Sequence, residues 1–237
     1  MDLSLVIPTL NEAGNIAEVI ERARRVLEKL SIRYEIIIVD GGSSDHTVER
    51  AQRAGARAVL QVDQGYGGAL RRGFGVARGE YVVTMDSDLS HEPEFIASLW
   101  DKRFSAEIII ASRYVVGGQA DMSAFRMVLS RILNLVFTSI LRVPVKDISS
   151  GFRLYRRSAV ESIRFEARDF DVLEEILIRL YINGYRIAEA PFHYRPRKTG
   201  RSHAKLFRFG WAYLKTLLRM LRLRRTGAGG ASHTSLD

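Results

Sequence analysis

The sequence predicts an α/β fold built on a mostly parallel, doubly wound sheet flanked by helices, and three observations carry that reading. Apolar, β-branched runs at Leu3 to Ile7 and Glu35 to Val39 stop at the polar turns "PTLNE" and "DGGSSD", each followed by a helical pattern. Asn15 to Leu30 places Ile16, Val19, Ile20, Ala23, Val26, Leu27 and Leu30 on one helical stripe, the pattern of a helix laid on a sheet. At 237 residues and 46% hydrophobic composition, the chain is long enough to bury one substantial core.

Taken in order, the N-terminus "MDLSLVIPTLNE" lacks a basic leader region and a long apolar run, so it reads as a first strand and not as a secretory signal. Further short strands are expected at Ala58 to Gln61, Tyr81 to Met85 and Glu107 to Ala111. Strands alternating with helices give right-handed crossovers, and such sheets bind ligands at the carboxyl ends of their strands. The polar motifs after Ile7, Val39 and Met85 all fall at such ends. Asp169 to Phe192 reads as an acidic start, an amphipathic helix and a strand reached through Gly184.

The strand ending at Met85 runs into Asp86 and Asp88, one residue apart in "DSDLSHEPEF". Two carboxylates that close repel, so the placement points to a cation between them. The chain has no cysteine, which leaves oxygen or imidazole ligands. Mg²⁺ and Mn²⁺ fit, because hard cations are commonly held by one or two carboxylates together with substrate phosphates. The same residues also suit a helix cap, with Pro93 at the first helical position. "VDGGSSDHT" and "PTLNEAGN" are read equally well as βα turns with capping residues. "QGYGGALRRG" reads as a glycine-rich loop able to approach a nucleotide, although it matches neither a Walker motif nor GxGxxG.

Taken together and in order, "IPTLNE", "IIIVDGGSSDHT", "DSDLSHEPE", "ASRYVVGG", "DISSGFRLYRR" and "RKTGRSHAK" resemble the family 2 glycosyltransferases, specifically the dolichol-phosphate mannose synthase branch, nearly to Arg208. The resemblance implies a GT-A (Rossmann-like) fold, to which the spacing of basic and apolar residues over Leu206 to Leu223 adds C-terminal amphipathic helices. It also implies an inverting transfer of a hexose, mannose from GDP-mannose, to dolichyl or polyprenyl phosphate, with UDP-glucose as the alternative donor. Carried onto this sequence, it assigns Pro8, Glu12 and Asp40 to the donor nucleotide. Asp86 and Asp88 become the metal and diphosphate pair, with Ser90 where relatives often have glutamine. Arg113, Arg126 and Ser130 would face the acceptor phosphate, and Arg197, Ser202 and Lys205 would form a basic phosphate clamp. Asp88, Arg113 and Arg197 are the residues it makes catalytic. The acid near Glu174 or Glu175 would lie by the active site, and Asp147 and Arg153 would flank the "SSGFR" turn. Leu10, Gly41 and the inserted His203-Ala204 depart from the family pattern and bear on base recognition and on Lys205.

The chemistry is coherent with that assignment. A phosphate monoester is anionic near neutral pH, so it attacks without a dedicated general base. The enzyme must instead supply positive charge for two anions and a departing nucleoside diphosphate. A net charge of +9 agrees with polyanionic partners, and the excess is concentrated from Lys198 to Arg225.

Three regions are expected: a catalytic domain over 1–204, a basic amphipathic interfacial helix over 205–225, and a disordered tail over 226–237. The apolar run Ile132 to Leu141 reads as too short to span a bilayer. No transmembrane helix is therefore predicted, and attachment is expected to be peripheral, at the cytoplasmic face of the membrane, aided by oligomerisation or a membrane-anchoring subunit. A nucleic-acid-binding module is disfavoured, since no binding motif accompanies the basic residues. A nucleotidyltransferase would share the sheet, the doublet and the metal but release pyrophosphate.

Overall fold

The computed structural model describes residues 1–196 and 206–227. The main sheet has seven strands: β1 (Leu3–Thr9), β2 (Tyr34–Asp40), β3 (Arg57–Leu60), β4 (Tyr81–Thr84), β5 (Ile108–Ser112), β7 (Arg153–Arg156) and β8 (Ile187–Pro191). Their spatial order is β3-β2-β1-β4-β7-β5-β8. β6 (Gln119–Ala120) and β9 (His193–Tyr194) form a separate two-stranded ladder. The helices are α1 (Ile16–Lys29), α2 (Thr47–Arg53), α3 (Gly65–Val76), α4 (Ile96–Asp101), α5 (Ala124–Leu141), α6 (Arg157–Glu161), α7 (Val172–Ile182) and α8 (Leu206–Gly227).

Strand alternation builds two cores. Leu3, Leu5 and Ile7 of β1, with Ile36 and Ile38 of β2, pack on Val19, Ile20 and Leu27 of α1. Val6, Ile37 and Val39 point to the opposite face, against Leu70 and Phe74 of α3 and the α7 residues Ile176 and Leu177. A one-residue slip in register would exchange the two sets, and each fully buried aliphatic side chain contributes about 1.5–3 kcal/mol, so the pairing is strongly specified.

The sheet reverses its order between β1 and β4, the position at which doubly wound sheets open a ligand crevice. The five strands predicted with bounds and the first helix are present with ends shifted by one or two residues, and the strand expected after Gly184 is β8. β7 was not foreseen. It runs antiparallel to both β4 and β5, and it places "SSGFR" beside the aspartate doublet. The expected amphipathic helix at Asp169 to Phe192 is instead buried on nearly every side, with Glu174 and Glu175 both at 0% exposure, because α7 lies between the sheet and α8.

Two expectations about apolar segments are corrected. "QGYGGALRRG" opens the helix α3 and is not a loop, and Gly67 lies against the chain's own backbone. A Cβ there would sit 2.0 Å from the Ala167 carbonyl oxygen, and the Gly67 N–H donates to the Arg168 carbonyl. α5 is 18 residues long, and by length and mean hydropathy (1.5) it is apolar enough to cross a membrane. It nevertheless lies on the domain: the Asn134 carboxamide accepts the Ile148 N–H and donates to Ser149 Oγ and the Ser130 carbonyl. Most of its apolar surface stays outward, with Phe125, Val128, Ile132 and Leu135 between 52% and 74% exposed.

α8 packs on α7 and α5. Leu217 and Met220 join the core, Thr216 Oγ1 donates to Asp171 Oδ2, and Arg219 donates to Glu175 and Glu166. Arg219 thus turns toward the domain, while Leu214 and Leu218 are exposed.

Candidate active site

The loops after β1 and β2 are joined to each other. Asn11 N–H donates to Ser43 Oγ, Glu12 N–H to Thr47 Oγ1, Ala13 N–H to Asp45 Oδ2, and Ser44 N–H to Asn11 Oδ1. Asn11, at φ 54°, adopts the left-handed conformation that asparagine tolerates. Asp40 closes the turn after β2, accepting the N–H groups of Gly42 and Ser43 on Oδ2 and the Ser43 hydroxyl on Oδ1. The Glu12 carboxylate accepts from Asn15 Nδ2, and the Pro8 carbonyl accepts from Ser87 Oγ. Pro8, Glu12 and Asp40 therefore stand at the carboxyl ends of β1 and β2, where Pro8 meets Ser87 between the two aspartates, and none of the three lines the cavity that contains Asp86.

That cavity, of about 270 Å³, is lined by Tyr66, Asp86, His91, Arg113, Arg126 and Ser130, with Ser149, Ser150, Gly151 and several apolar residues. Its size is near the ~300 Å³ lower end for small-molecule sites.

The β4 strand delivers Asp86 to the cavity floor, and a tight turn follows. Leu89, buried and at φ 63°, takes a conformation unfavourable for leucine, and the turn brings the Ser90 N–H back to Asp88 Oδ1. Ser90 itself is 1% exposed and meets the doublet through its backbone. The Asp86 N–H donates to His91 Nδ1, which places the imidazole proton on Nε2, 3.7 Å from Asp86 Oδ2. His91 is buried and stacked on Phe152, with centroids 5.0 Å apart. On the other side, Tyr66 donates its hydroxyl to Asp86 Oδ1 at 3.3 Å. Burial, and then the Asp86 charge, raise the Tyr66 phenol well above its usual pKa, so it stays protonated.

Arg113 follows β5 and is fixed by Asp147. Nε donates to Oδ2 and Nη2 to Oδ1, both at 2.7 Å, and Nη2 also donates to Ser149 Oγ. Burial opposes the guanidinium charge, but the Asp147 hydrogen bonds and field outweigh it and hold Arg113 protonated more firmly than usual. Because the pair is neutral overall, Arg113 shapes the cavity more than it charges it. Arg126 is exposed, borders the cavity from α5 and makes no ion pair with any described residue. Ser130 accepts the Tyr114 hydroxyl at 2.8 Å.

Arg153 is fully buried, donating to the carbonyls of Ile148, Ser150 and Leu173, so it ties the "SSGFR" turn to α7. Glu174 lies behind the cavity-lining Leu173, with neither carboxylate oxygen hydrogen-bonded, and burial pushes it up to about 8. Arg197, Ser202 and Lys205, the expected basic clamp, lie outside the described residues; of the tail expected to be disordered over 226–237, Thr226 and Gly227 continue α8 and the rest lies outside the described residues.

The structure thus brings Asp86, Arg113, Arg126 and Ser130 around one cavity, with Asp88 and Ser90 in the turn beneath it. Sequence reasoning missed Tyr66 and His91. His91 carried a legible signal, standing three residues after Asp88, but nothing local tied Tyr66 to the doublet.

Among the described residues no group of three or more acidic or imidazole side chains converges. The two carboxylates of the doublet would therefore be the donors available here, a set that would suit a hard divalent cation completing its coordination with diphosphate oxygens and water and would not suit a cation caged by protein alone.

The family model for glycosyl transferase family 2 matches residues 4–164. A dolichol-phosphate mannosyltransferase of Pyrococcus furiosus is 33% identical over 233 residues, covering 94% of this chain and 64% of the relative. A polyprenol monophosphomannose synthase of Mycolicibacterium smegmatis is 31% identical, covering 84% of this chain and 79% of the relative. A low-salt glycan biosynthesis hexosyltransferase of Haloferax volcanii is 29% identical, and this chain spans only 53% of it. Among solved structures, glucosyl-3-phosphoglycerate synthase from Mycobacterium tuberculosis, in complex with Mn²⁺, UDP and glucosyl-3-phosphoglycerate, superposes with a TM-score of 0.72 at 26% identity. That match covers 93% of this chain and 80% of the other.

Proposed function

The chain belongs to glycosyl transferase family 2, and from that premise we propose that it transfers mannose from GDP-mannose to the phosphate of a polyprenyl or dolichyl phosphate, with inversion at the anomeric carbon. The observation that carries the acceptor is α5. One helix lines the headgroup-sized cavity with Arg126 and Ser130 and turns Phe125, Val128, Ile132 and Leu135 outward as bare apolar surface. A phosphate on a long hydrocarbon chain matches both faces. The named functions of the two mannosyl-transferring relatives support the sugar.

Asp86 and Asp88 would hold Mg²⁺ or Mn²⁺, which when bound supplies charge neutralisation for the donor diphosphate. The chain's own residues do the rest. Arg126 binds the acceptor phosphate, and Arg113, locked by Asp147, holds the Ser149 hydroxyl at the cavity wall. The loops carrying Pro8, Glu12 and Asp40 hold the nucleoside, and Arg197, Ser202 and Lys205 clamp phosphate. An acceptor phosphate oxygen forms the new bond to the anomeric carbon as the bond to the diphosphate oxygen breaks. No proton has to leave the nucleophile, which accords with a cavity whose only imidazole among the described residues, His91, is tied to the Asp86 backbone. The protein works peripherally at the cytoplasmic face of a membrane, as a homo-oligomer or beside a membrane-anchoring subunit. Glucosyl transfer from UDP-glucose is the second reading, favoured by the UDP-bearing glucosyl synthase structure.

The test supplies purified protein with Mn²⁺ or Mg²⁺, a polyprenyl phosphate, and labelled GDP-mannose or UDP-glucose in parallel, and counts label entering the organic phase. Metal-dependent label from GDP-mannose, lost in Asp88→Ala while its circular dichroism is unchanged, is expected. Label from UDP-glucose alone replaces the donor; full turnover by Asp88→Ala refutes the metal pair.

A further inference from the structure

Tyr66 joins three motifs that are far apart in the sequence. Its hydroxyl reaches Asp86 Oδ1 at 3.3 Å. Its ring stacks on Phe170 just before α7, with centroids 4.8 Å apart and planes 22° apart. Gly151 of the "SSGFR" turn is shaped around it: a Cβ there would lie 2.9 Å from the Tyr66 hydroxyl and 3.7 Å from Asp86 Oδ1. The backbone beneath the ring is fixed as well, by the Gly67 N–H to Arg168 carbonyl bond and by Arg71 Nη1 donating to the Ala167 carbonyl.

The last torsion of an aspartate is broad, so the strand alone does not set the rotation of the Asp86 carboxylate. Tyr66 grips Oδ1, while the imidazole of His91 stands 3.7 Å from Oδ2. We propose that Tyr66 is a positioning residue for cation binding, whose hydroxyl orients the Asp86 carboxylate and whose position is held by Phe170 and by the absence of a side chain at Gly151. Groups of this kind, one bond removed from a metal, change affinity when lost by about 10–100-fold. The inference rests on the reading of Asp86 as a cation ligand.

The test measures Mn²⁺ binding in the presence of GDP or UDP by the electron paramagnetic resonance signal of free Mn²⁺. It uses wild type, D86N, Y66F, G151A and the Y66F/G151A pair. Y66F keeps the ring and its stack, and the Asp86 side chain is 33% exposed, so water solvates the vacated oxygen and the variant folds. The dissociation constant for Mn²⁺ is expected to rise about ten-fold in Y66F. G151A is expected to weaken binding alone but to add nothing in the Y66F background, because the atom its methyl would strike is gone. Turnover of Y66F is expected to recover at saturating Mn²⁺, which general damage to the fold would not allow. Unchanged Mn²⁺ affinity in Y66F, or an equal cost of G151A in both backgrounds, overturns the proposal while leaving Asp86 as a ligand. Equal Mn²⁺ binding by wild type and D86N removes the cation from Asp86, and the functional reading of the doublet falls with the proposal.

Discussion

Arg113 and Asp147 form a two-pronged ion pair, Nε to Oδ2 and Nη2 to Oδ1 both at 2.7 Å, with the aspartate side chain wholly buried and the arginine nearly so. The geometry is planar fork to planar fork, which lysine cannot reproduce. Asp147→Ala strands the guanidinium in a site it entered as half of a neutral pair. Breaking such a pair costs about 3–5 kcal/mol. Urea unfolding of Asp147→Ala is expected to show that loss; a loss below about 1 kcal/mol would mean that water reaches the arginine.

Glu174 gives stability a pH dependence. It is fully buried, neither oxygen has a hydrogen-bond partner, and burial lifts its pKa from 4.5 to about 8. Between those values the folded chain keeps a proton that the unfolded chain has released, so stability falls as pH rises from about 4.5 to about 8 and is level on either side. The limiting slope is about 1.4 kcal/mol per pH unit. Glu174→Met, apolar and similar in volume, is expected to remove this component, so its advantage over wild type should widen between pH 5 and pH 8. Parallel stability curves for the two proteins would refute the assignment.

The outward face of α5 is expected to matter at a lipid surface and not in water. Val128, Ile132 and Leu135 are each more than half exposed, so replacing all three with serine should change folding stability by less than about 0.5 kcal/mol per site. Flotation with vesicles containing anionic lipid should drop sharply for the triple variant. Equal flotation would place the membrane contact elsewhere.

The seam between α7 and α8 depends on a small polar contact. Thr216, 2% exposed, donates to Asp171 Oδ2, and Asp171 Oδ1 has no hydrogen-bond partner. Thr216→Val keeps the shape and removes the donor, leaving a buried carboxylate short of both bonds. A loss of about 1–3 kcal/mol is expected in thermal or urea unfolding, with a larger loss in Thr216→Val than in the partly exposed Leu218→Ala. The opposite ranking would locate the seam in apolar contact alone.

Much of the fold is legible because its signals are local. Strand runs such as Leu3 to Ile7, the stripe from Ile16 to Leu27 and the polar turns that close them report periodicity and turn chemistry within a few residues. The doublet was legible for the same reason, since two carboxylates one residue apart at a strand end are conspicuous in any context. β7 was not, because the four residues Arg153–Arg156 set Leu154 and Tyr155 side by side between two arginines, with no alternation, and become a strand only through pairing on both edges. α7 reads as amphipathic because polar residues, Glu174, Glu175 and Arg179, interrupt its apolar run. Glu175 is instead buried against Arg179 and Arg219, and Glu174 is buried without a partner.

The sequence by itself determined the α/β rhythm, the strand-end location of the polar motifs and the residue types available to hold a cation and a phosphate. Each depends on neighbours in the chain. Only the tertiary structure decided that Tyr66, Asp86 and Gly151 share one point, that Arg113 is neutralised by Asp147 while Arg126 stands open, and that α8 turns Arg219 inward. Those outcomes follow from which elements pack together, and charge or close approach between residues dozens of positions apart leaves no periodic trace in the chain.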